Sequence, residues 1–328
     1  MRASILSIVL VAVGCTQDID MFASYKKEHK LDFGSDDDYR FEVFKSNIEY
    51  INEVNSQGLS YKLGITPFTH LTRAEFEERM TSRFYGGYLN YLRSSGFLIT
   101  NYSASQISGI PDTMNYVDKG WVTGVKNQGY CGSCWAFSTT GSLEAVHKNV
   151  TGDLVSLSEQ ELVSCSTPYG NQGCRGGLEL QAFRYVNDHG LGSEKDYPYT
   201  ASQSTCNITG VKRVIKPHTI GYRIVKAGSK KGLLQAVVEA GPVTVGLDGT
   251  GVFQLYKGGV LDSGCGTSIN HGALLVGYNM NSEQPYYLVK NSWGEKWGED
   301  GYIRIAIDDS EDGVCGILKE PSFPFHRA

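Results

Sequence analysis

The chain changes its hydrophobic rhythm twice. Between about 36 and 80, Phe41, Phe44, Ile48, Ile51 and Val54 recur three or four residues apart among charged neighbours. That spacing predicts one apolar face of a helix beginning after Asp36-Asp37-Asp38. A second helical pattern runs from about 121 to 220. It takes in Trp135, Phe137, Leu143 and Val146, then Leu162-Val163, then Leu178 to His189. Ser158-Glu159-Gln160-Glu161 resembles a capping box, and Gly190 predicts a helix stop. From about 220 the rhythm becomes that of strands. Val243-Thr244-Val245, Gly272 to Val276, Tyr286 to Val289 and Tyr302 to Ile305 are short runs broken by Gly and Pro. The pattern predicts an α+β protein: an N-terminal helical region, then a helical half beside a β half.

Two stretches lack this patterning. Residues 81–109 are rich in Gly, Ser, Tyr and Asn and read as an extended linker across a surface. Residues 1–15 carry Arg2, an apolar run from Ile5 to Val13, and small residues Ala12 and Gly14 before a cut after Gly14. This reads as a signal peptide, with a lipoprotein cut at Val-Gly-Cys15 as the alternative. The run is too short to span a membrane, and no later segment is apolar enough.

Composition narrows the class. A chain of 328 residues has room for more than one domain. Its net charge of −5 argues against a general nucleic-acid binder. Of eight cysteines, Cys15 falls in the leader and seven remain. An odd number in an exported chain reads as six in disulfides and one free reactive thiol. Sequons at Asn101, Asn149 and Asn207 fit export.

The sharpest chemical signal lies in QGYCGSCWAFSTTGSLEAVHKN, from Gln128 to Asn149. Gly132-Ser133 resists helix and Ser133 is a good N-cap, so Cys134 falls in a first helical turn. There the dipole and unpaired N–H groups favour thiolate, the nucleophilic form. His271 and Asn291 lie far downstream in INHG and KNSWG. A helical half carrying Cys134 and a β half carrying His271 place the chemistry in a cleft between them. Gly173-Cys174-Arg175-Gly176-Gly177 invites a phosphate-loop reading but lacks the Lys-Ser/Thr such loops need. Cys131-Gly-Ser-Cys134 also suits a thiol–disulfide oxidoreductase, which leaves His271, Asn291 and Gln128 unexplained. A zinc module on Cys131, Cys134, Cys165 and Cys174 lacks the usual two close pairs.

CGSCW, NHG and NSWG, in that order, resemble the papain family of cysteine proteases, of the cathepsin L-like type made with a propeptide. The likeness extends to Arg40, Phe44, Asn47, Ile51 and Asn55 of the long propeptide helix, and to Gly64, Thr66, Phe68 and His70 of a second propeptide motif. There Thr66 replaces Asn and His70 replaces an Asp associated with acid-triggered processing. A histidine titrates nearer neutral pH, so the trigger pH is expected to move upward.

The resemblance implies a papain-like two-domain fold, with a helical L domain, a β-barrel-like R domain and an N-terminal helical propeptide. The expected boundaries are 1–15 for the signal, 16–109 for the inhibitory propeptide and 110–328 for the mature peptidase. The linker is expected to run backwards through the cleft. Cys134 is then the nucleophile, His271 the acid/base and Asn291 the orienting partner, with Trp293 covering their hydrogen bond. Gln128 supplies an oxyanion donor. Substrate contacts are expected at Gly176, Gly177, Leu178, Gly246, Ile269, Asn270, Gly272, Trp293, Trp297 and Glu320. Recognition of Leu or Phe, and of Arg through Glu320, falls to the pocket of Leu178, Gly246, Ile269, Gly272 and Glu320. The implied disulfides are Cys131–Cys174, Cys165–Cys206 and Cys265–Cys315. No metal or cofactor is expected. The expected partners are protein and peptide substrates and the chain's own propeptide. The chain is expected to be a monomer in the secretory pathway, lysosomal, vacuolar or secreted.

Overall fold

A computed structural model of the chain describes residues 18–82, 101–102 and 109–327. The signal-peptide reading and nearly all of the linker reading fall outside them. Among the described residues no helix is long and apolar enough to cross a membrane.

The N-terminal layer is built on helix α1 (18–29) and helix α2 (Asp37–Ser56). The predicted stripe is real: Phe44, Ile51 and Val54 are buried. Phe44 meets Phe22 and Tyr25 of α1 in a small core of its own. The polar residues of α2 fasten the segment between residues 61 and 80. Asn47 Nδ2 donates to the Thr69 and Leu71 carbonyls at 2.8 and 2.9 Å. Asn55 pairs with both backbone groups of Leu63 at 2.9 Å, in strand β1 (Tyr61–Leu63). Arg40 grips Glu75 of helix α3 (Arg73–Met80) with two bonds of 2.7 and 2.8 Å. Glu75 also closes a capping box with Thr72.

His70 corrects the sequence expectation. It is buried at 3% exposure, with Nδ1 2.7 Å from Tyr25 Oη and its ring 5.0 Å from that of Phe33. Burial first, then the Arg40 and Arg79 charges, push its pKa down to about 4. It therefore does not titrate nearer neutral while docked. Thr66 donates its hydroxyl to the Gln254 carbonyl at 2.7 Å, tying this layer to the rest.

The larger part has the two expected halves. Helices α4 (Cys134–Thr151), α5 (Glu159–Cys165) and α6 (Glu179–His189) share one core around Trp135, Leu162 and Phe183. Ser158 caps α5 through Glu161 N at 3.0 Å, and Gly190 ends α6 with φ 70°. The β half departs from expectation by including helix α7 (Lys230–Ala240), capped by Ser229 and closed by Gly241. Two short strands precede the halves, β2 (Asn101–Tyr102) and β3 (Thr113–Asn115). A separate small pair joins β4 (Leu191–Gly192) to β5 (Arg213–Ile215). The strands of the β half are β6 (Ile220–Val225), β7 (Val243–Leu247), β8 (Tyr256–Leu261), β9 (His271–Asn279), β10 (Tyr286–Lys290), β11 (Tyr302–Ala306) and β12 (Ser322–His326). The path of the main sheet is β1-β8-β11-β10-β9-β7-β12-β6-β2, with β3 paired to β9. Segments from before residue 110 therefore lie along both edges of the sheet, hiding edges that would otherwise offer free backbone groups.

The three disulfides are Cys131–Cys174, Cys165–Cys206 and Cys265–Cys315, and Cys134 is free. This rules out the zinc reading and the redox pair: Cys131 is already bridged, and not to Cys134. Among the described residues no cluster of ligands suits a metal.

Candidate active site

Cys134 opens α4 because the loop before it is pinned. Gly132 N donates to the Cys174 carbonyl at 2.9 Å, beside the Cys131–Cys174 bridge. A Cβ on Gly132 would lie 2.7 Å from that carbonyl, so only glycine fits. Ser133 occupies the N-cap position but makes no capping bond. Its hydroxyl pairs instead with Tyr199 Oη at 2.6 Å. The helix start is thus held by the pinned Cys131–Ser133 loop and not, as expected, by a side-chain cap.

His271 opens β9, and Asn291 follows β10, which pairs antiparallel with β9. The ladder brings Asn291 Oδ1 to 2.8 Å from His271 Nε2. The Ser292 N–H also donates to Asn291 Oδ1, at 2.8 Å. An oxygen that accepts from the ring makes Nε2 the protonated nitrogen of neutral His271. That leaves Nδ1 bare and buried, without a hydrogen-bonding partner among the described residues. Trp293 lies over this pair, its ring centroid 4.6 Å from that of His271. Phe68 and Phe76 stand edge-on to Trp293 at 5.7 and 5.2 Å, so the N-terminal layer closes the stack.

Gln128 is fully buried. Its Nε2 donates to the Cys131 carbonyl at 2.9 Å and to the Met80 carbonyl at 3.2 Å, and its Oε1 accepts from Ser292 Oγ at 2.7 Å. Close by, Ser82 N donates to the Asn270 carbonyl at 2.7 Å. The end of α3 and the residues just after it therefore engage both a side-chain donor and a backbone acceptor of the site. Met80 and Ser82 had no signal in the sequence. They are ordinary residues placed by the end of a helix.

Burial decides the charge states. Cys134 and His271 are both inaccessible to solvent. Burial pushes the thiol up to about 12, against the backbone amides of Gly272, Trp135 and Cys134. Burial likewise pushes His271 down to about 4, with Asn291 opposing it. Thiol beside neutral imidazole is the favoured pair in this form. The helix-terminus argument for a thiolate is outweighed here, because the dipole is worth roughly 0.3–1 kcal/mol at ordinary sites.

The remaining expected residues divide. Gly246, Ile269 and Glu320 come together: a Cβ on Gly246 would meet Ile269 at 2.6 Å and the Glu320 Cβ at 3.6 Å. Gly246 pairs with Gly272 across β7 and β9. Leu178, buried at 3%, precedes α6, and its N–H donates to Asn171 Oδ1 at 2.8 Å. Gly177 packs its backbone onto Trp135, where a Cβ would lie 2.7 Å from the ring. Gly176, at φ 126°, takes a conformation natural only to glycine. Trp297 is not brought to the site surface. It is fully buried behind Trp293, donating Nε1 to the Phe253 carbonyl at 2.8 Å.

Comparison with known proteins gives the same outline. The profile of the papain family cysteine proteases matches residues 110–325, and that of the cathepsin propeptide inhibitor domain matches residues 22–76. A probable cysteine protease RD21B of Arabidopsis thaliana is 42% identical over 92% of this chain and 64% of its own length. This chain thus spans less than two thirds of that relative. Chymopapain of Carica papaya is 37% identical, covering 95% of this chain and 90% of its own. The proform crystal structure of the Amb a 11 cysteine protease, a major ragweed pollen allergen, aligns at a TM-score of 0.85 and 35% identity, over 95% of both chains.

Proposed function

This chain belongs to the papain family of cysteine proteases, and from that premise we propose that it is a cysteine endopeptidase held inactive by its own N-terminal residues. One observation carries the reading. A free, buried cysteine at a helix start meets the backbone amide of Gly272, the neighbour of a buried histidine whose Nε2 is held by an asparagine.

In the proposed reaction Cys134 gives its proton to His271 Nδ1, and Sγ attacks the carbonyl carbon of a peptide bond. The displaced electron pair settles on the carbonyl oxygen, which accepts hydrogen bonds from Gln128 Nε2 and the Cys134 N–H. His271 then passes its proton to the amine nitrogen as the C–N bond breaks, leaving a thioester. His271 next takes a proton from water, whose oxygen attacks the thioester. Collapse releases the acid and returns the thiol. Asn291 keeps Nε2 protonated throughout, so Nδ1 carries the moving proton.

The substrate proposed is an extended peptide along Gly176 and Gly177, pairing as a strand would. The pocket of Leu178, Gly246, Ile269 and Glu320 takes an apolar residue such as Leu or Phe, or Arg against the Glu320 carboxylate. The inhibitor is residues 16–109, removed by cleavage before Ile110 after a signal over 1–15. Support comes from Met80 and Ser82, whose backbone groups take the positions substrate needs. The route is the secretory pathway, to a lysosome or vacuole or outside, and the working form a monomer.

The test is labelling with a peptidyl epoxide before and after acidification of the purified precursor, with casein cleavage alongside. The expected label falls on Cys134 only after acid and with loss of the residues before Ile110, and a Cys134→Ala precursor neither labels nor processes. A Cys134 that resists the probe at every pH would sink the nucleophile.

A further inference from the structure

Primary amides have two chemically opposite ends, and the proposed chemistry needs both of its amides turned one way. Gln128 must aim nitrogen at the cleft, and Asn291 must aim oxygen at His271. Swapping either end costs the mechanism a donor or the correct imidazole tautomer. Ser292 lies between Asn291 and Trp293, is only 4% exposed, and touches both amides. Its hydroxyl donates to Gln128 Oε1 at 2.7 Å. Its carbonyl accepts from Gln128 N at 2.8 Å. Its N–H donates to Asn291 Oδ1 at 2.8 Å.

We propose that Ser292 is a positioning residue that orients the two amides of the site at once, Gln128 through its hydroxyl and Asn291 through its backbone N–H. The inference rests on the peptidase reading above. The two arms work on different steps. The hydroxyl occupies Gln128 Oε1, so the other end of the amide faces the Cys131 carbonyl and the cleft. When the N-terminal layer leaves, Met80 goes with it, and Gln128 Nε2 keeps only the Cys131 carbonyl. The Ser292 hydroxyl is then the firmest remaining hold on that side chain. Without it a buried carbonyl oxygen lacks a partner, and the amide is drawn away to find one. The N–H arm is backbone and survives any side-chain change, so the two arms can be separated by mutation.

Ser292→Ala cuts only the hydroxyl arm. In acid-treated full-length precursor, peptide hydrolysis is expected to fall about tenfold in kcat with little change in KM, as for a weakened oxyanion donor. Alkylation of Cys134 by iodoacetamide involves no oxyanion, and its rate and pH profile stay within about twofold of wild type. In a Gln128→Ala background, Ser292→Ala has no further effect on kcat/KM, because the group it positions is gone. Additive losses in that cycle, or a fall in alkylation that matches the fall in hydrolysis, would overturn the inference and leave Ser292 a packing residue. Crystallography of the Ser292→Ala chain freed of its N-terminal layer by an added protease, so that Met80 no longer holds Gln128, decides it independently of activity. The Gln128 amide should lose its single orientation while Asn291 keeps its place, and a Gln128 amide that does not move sinks the proposal. A wild-type chain without hydrolysis in acid would remove the peptidase reading and still leave the crystallographic outcome to judge the contacts.

Discussion

His70 and His271 lie in different parts of the molecule and look alike at first. Each is buried, each has one ring nitrogen hydrogen-bonded, and burial pushes each down to about 4. What buries them differs. His70 is enclosed by the N-terminal layer's own Tyr25 and Phe33, with Arg40, Arg79, Glu75 and His29 as its charged surroundings. His271 is enclosed by Trp293, on which Phe68 and Phe76 of that layer close. A proton on His70 therefore opposes the layer's own fold. Neutrality at His271 depends on whether the layer is present. One histidine belongs to the lock and the other to what is locked.

The largest effect to expect is at Cys134. With the layer docked, burial holds the thiol at about 12 beside a neutral His271. Once the layer is gone, the desolvation that raises the thiol and lowers the imidazole is relieved. Alkylation of Cys134 at pH 7 should then be at least about 10²-fold faster, since each pKa unit is worth tenfold in thiolate. Equal alkylation rates for intact precursor and acid-released enzyme would break the comparison.

His70 gives the next effect. Its docked pKa of about 4 lies below the ordinary 6.5, so the undocked state binds the proton more readily. Stability of the docked layer is then fully present above pH 6.5 and is lost as pH falls toward 4. The whole window is worth on the order of 3 kcal/mol. The upward shift expected from the sequence thus survives only in part. Loss begins near 6.5 through the undocked state, while the docked histidine itself resists protonation. In a Cys134→Ala precursor, which does not process itself, His70→Gln should shrink the stability difference between pH 7.5 and pH 4.5 measured by denaturant unfolding. An unchanged difference would remove His70 from the trigger.

Arg40 and Glu75 sharpen the contrast from the other side. Hydrogen bonds from Arg40 hold the Glu75 carboxyl down to about 2. A depressed carboxyl contributes stability above 4.5 that is lost only as pH falls toward 2, below the window of His70. Glu75→Gln should therefore destabilise the layer by about 1–2 kcal/mol, through the lost ion pair with Arg40, and change the pH difference between 7.5 and 4.5 far less than His70→Gln does, because Glu75 is only a minor part of the charge around His70. The same unfolding measurement checks it, and a change in the pH difference as large as that of His70→Gln would make Glu75 part of the trigger.

How much of the fold and site was legible depends on range along the chain. Cys134, His271, Asn291 and Gln128 stand in short motifs, and a motif survives without a structure. The α2 stripe and the Gly190 stop are local and were readable too. Helix α7 was hidden because Gly232 and Val237-Val238 dilute its pattern amid strand-like neighbours, although Ser229 was a readable cap. The fate of Ser133 depends on Tyr199, and the sign at His70 depends on Tyr25 and Arg40. None of these is near in sequence. The facing of Asn291 and His271 needs the β9–β10 register, including its irregularity at Leu288/Val289, which no local pattern encodes.

The smallest effect comes from Tyr25, and it tests whether the cage or the charge matters more. Tyr25 Oη lies 3.0 Å from the Pro67 carbonyl and 2.7 Å from His70 Nδ1. A hydroxyl has one proton, and a carbonyl can only accept. The consistent arrangement has Tyr25 donating to Pro67 and His70 Nδ1–H donating to Tyr25. Tyr25→Phe keeps the ring that packs on Phe44 and removes both hydrogen bonds. It should destabilise the docked layer by about 1 kcal/mol, since one buried and one part-buried neutral hydrogen bond are lost. The layer should then release at a somewhat higher pH, because less protonation is needed to undo it. Precursor processing followed on gels across pH 4 to 7 reads that midpoint directly. If the midpoint stays where it is, the hydroxyl contributes nothing to docking, and the aromatic walls and nearby charges alone keep His70 neutral.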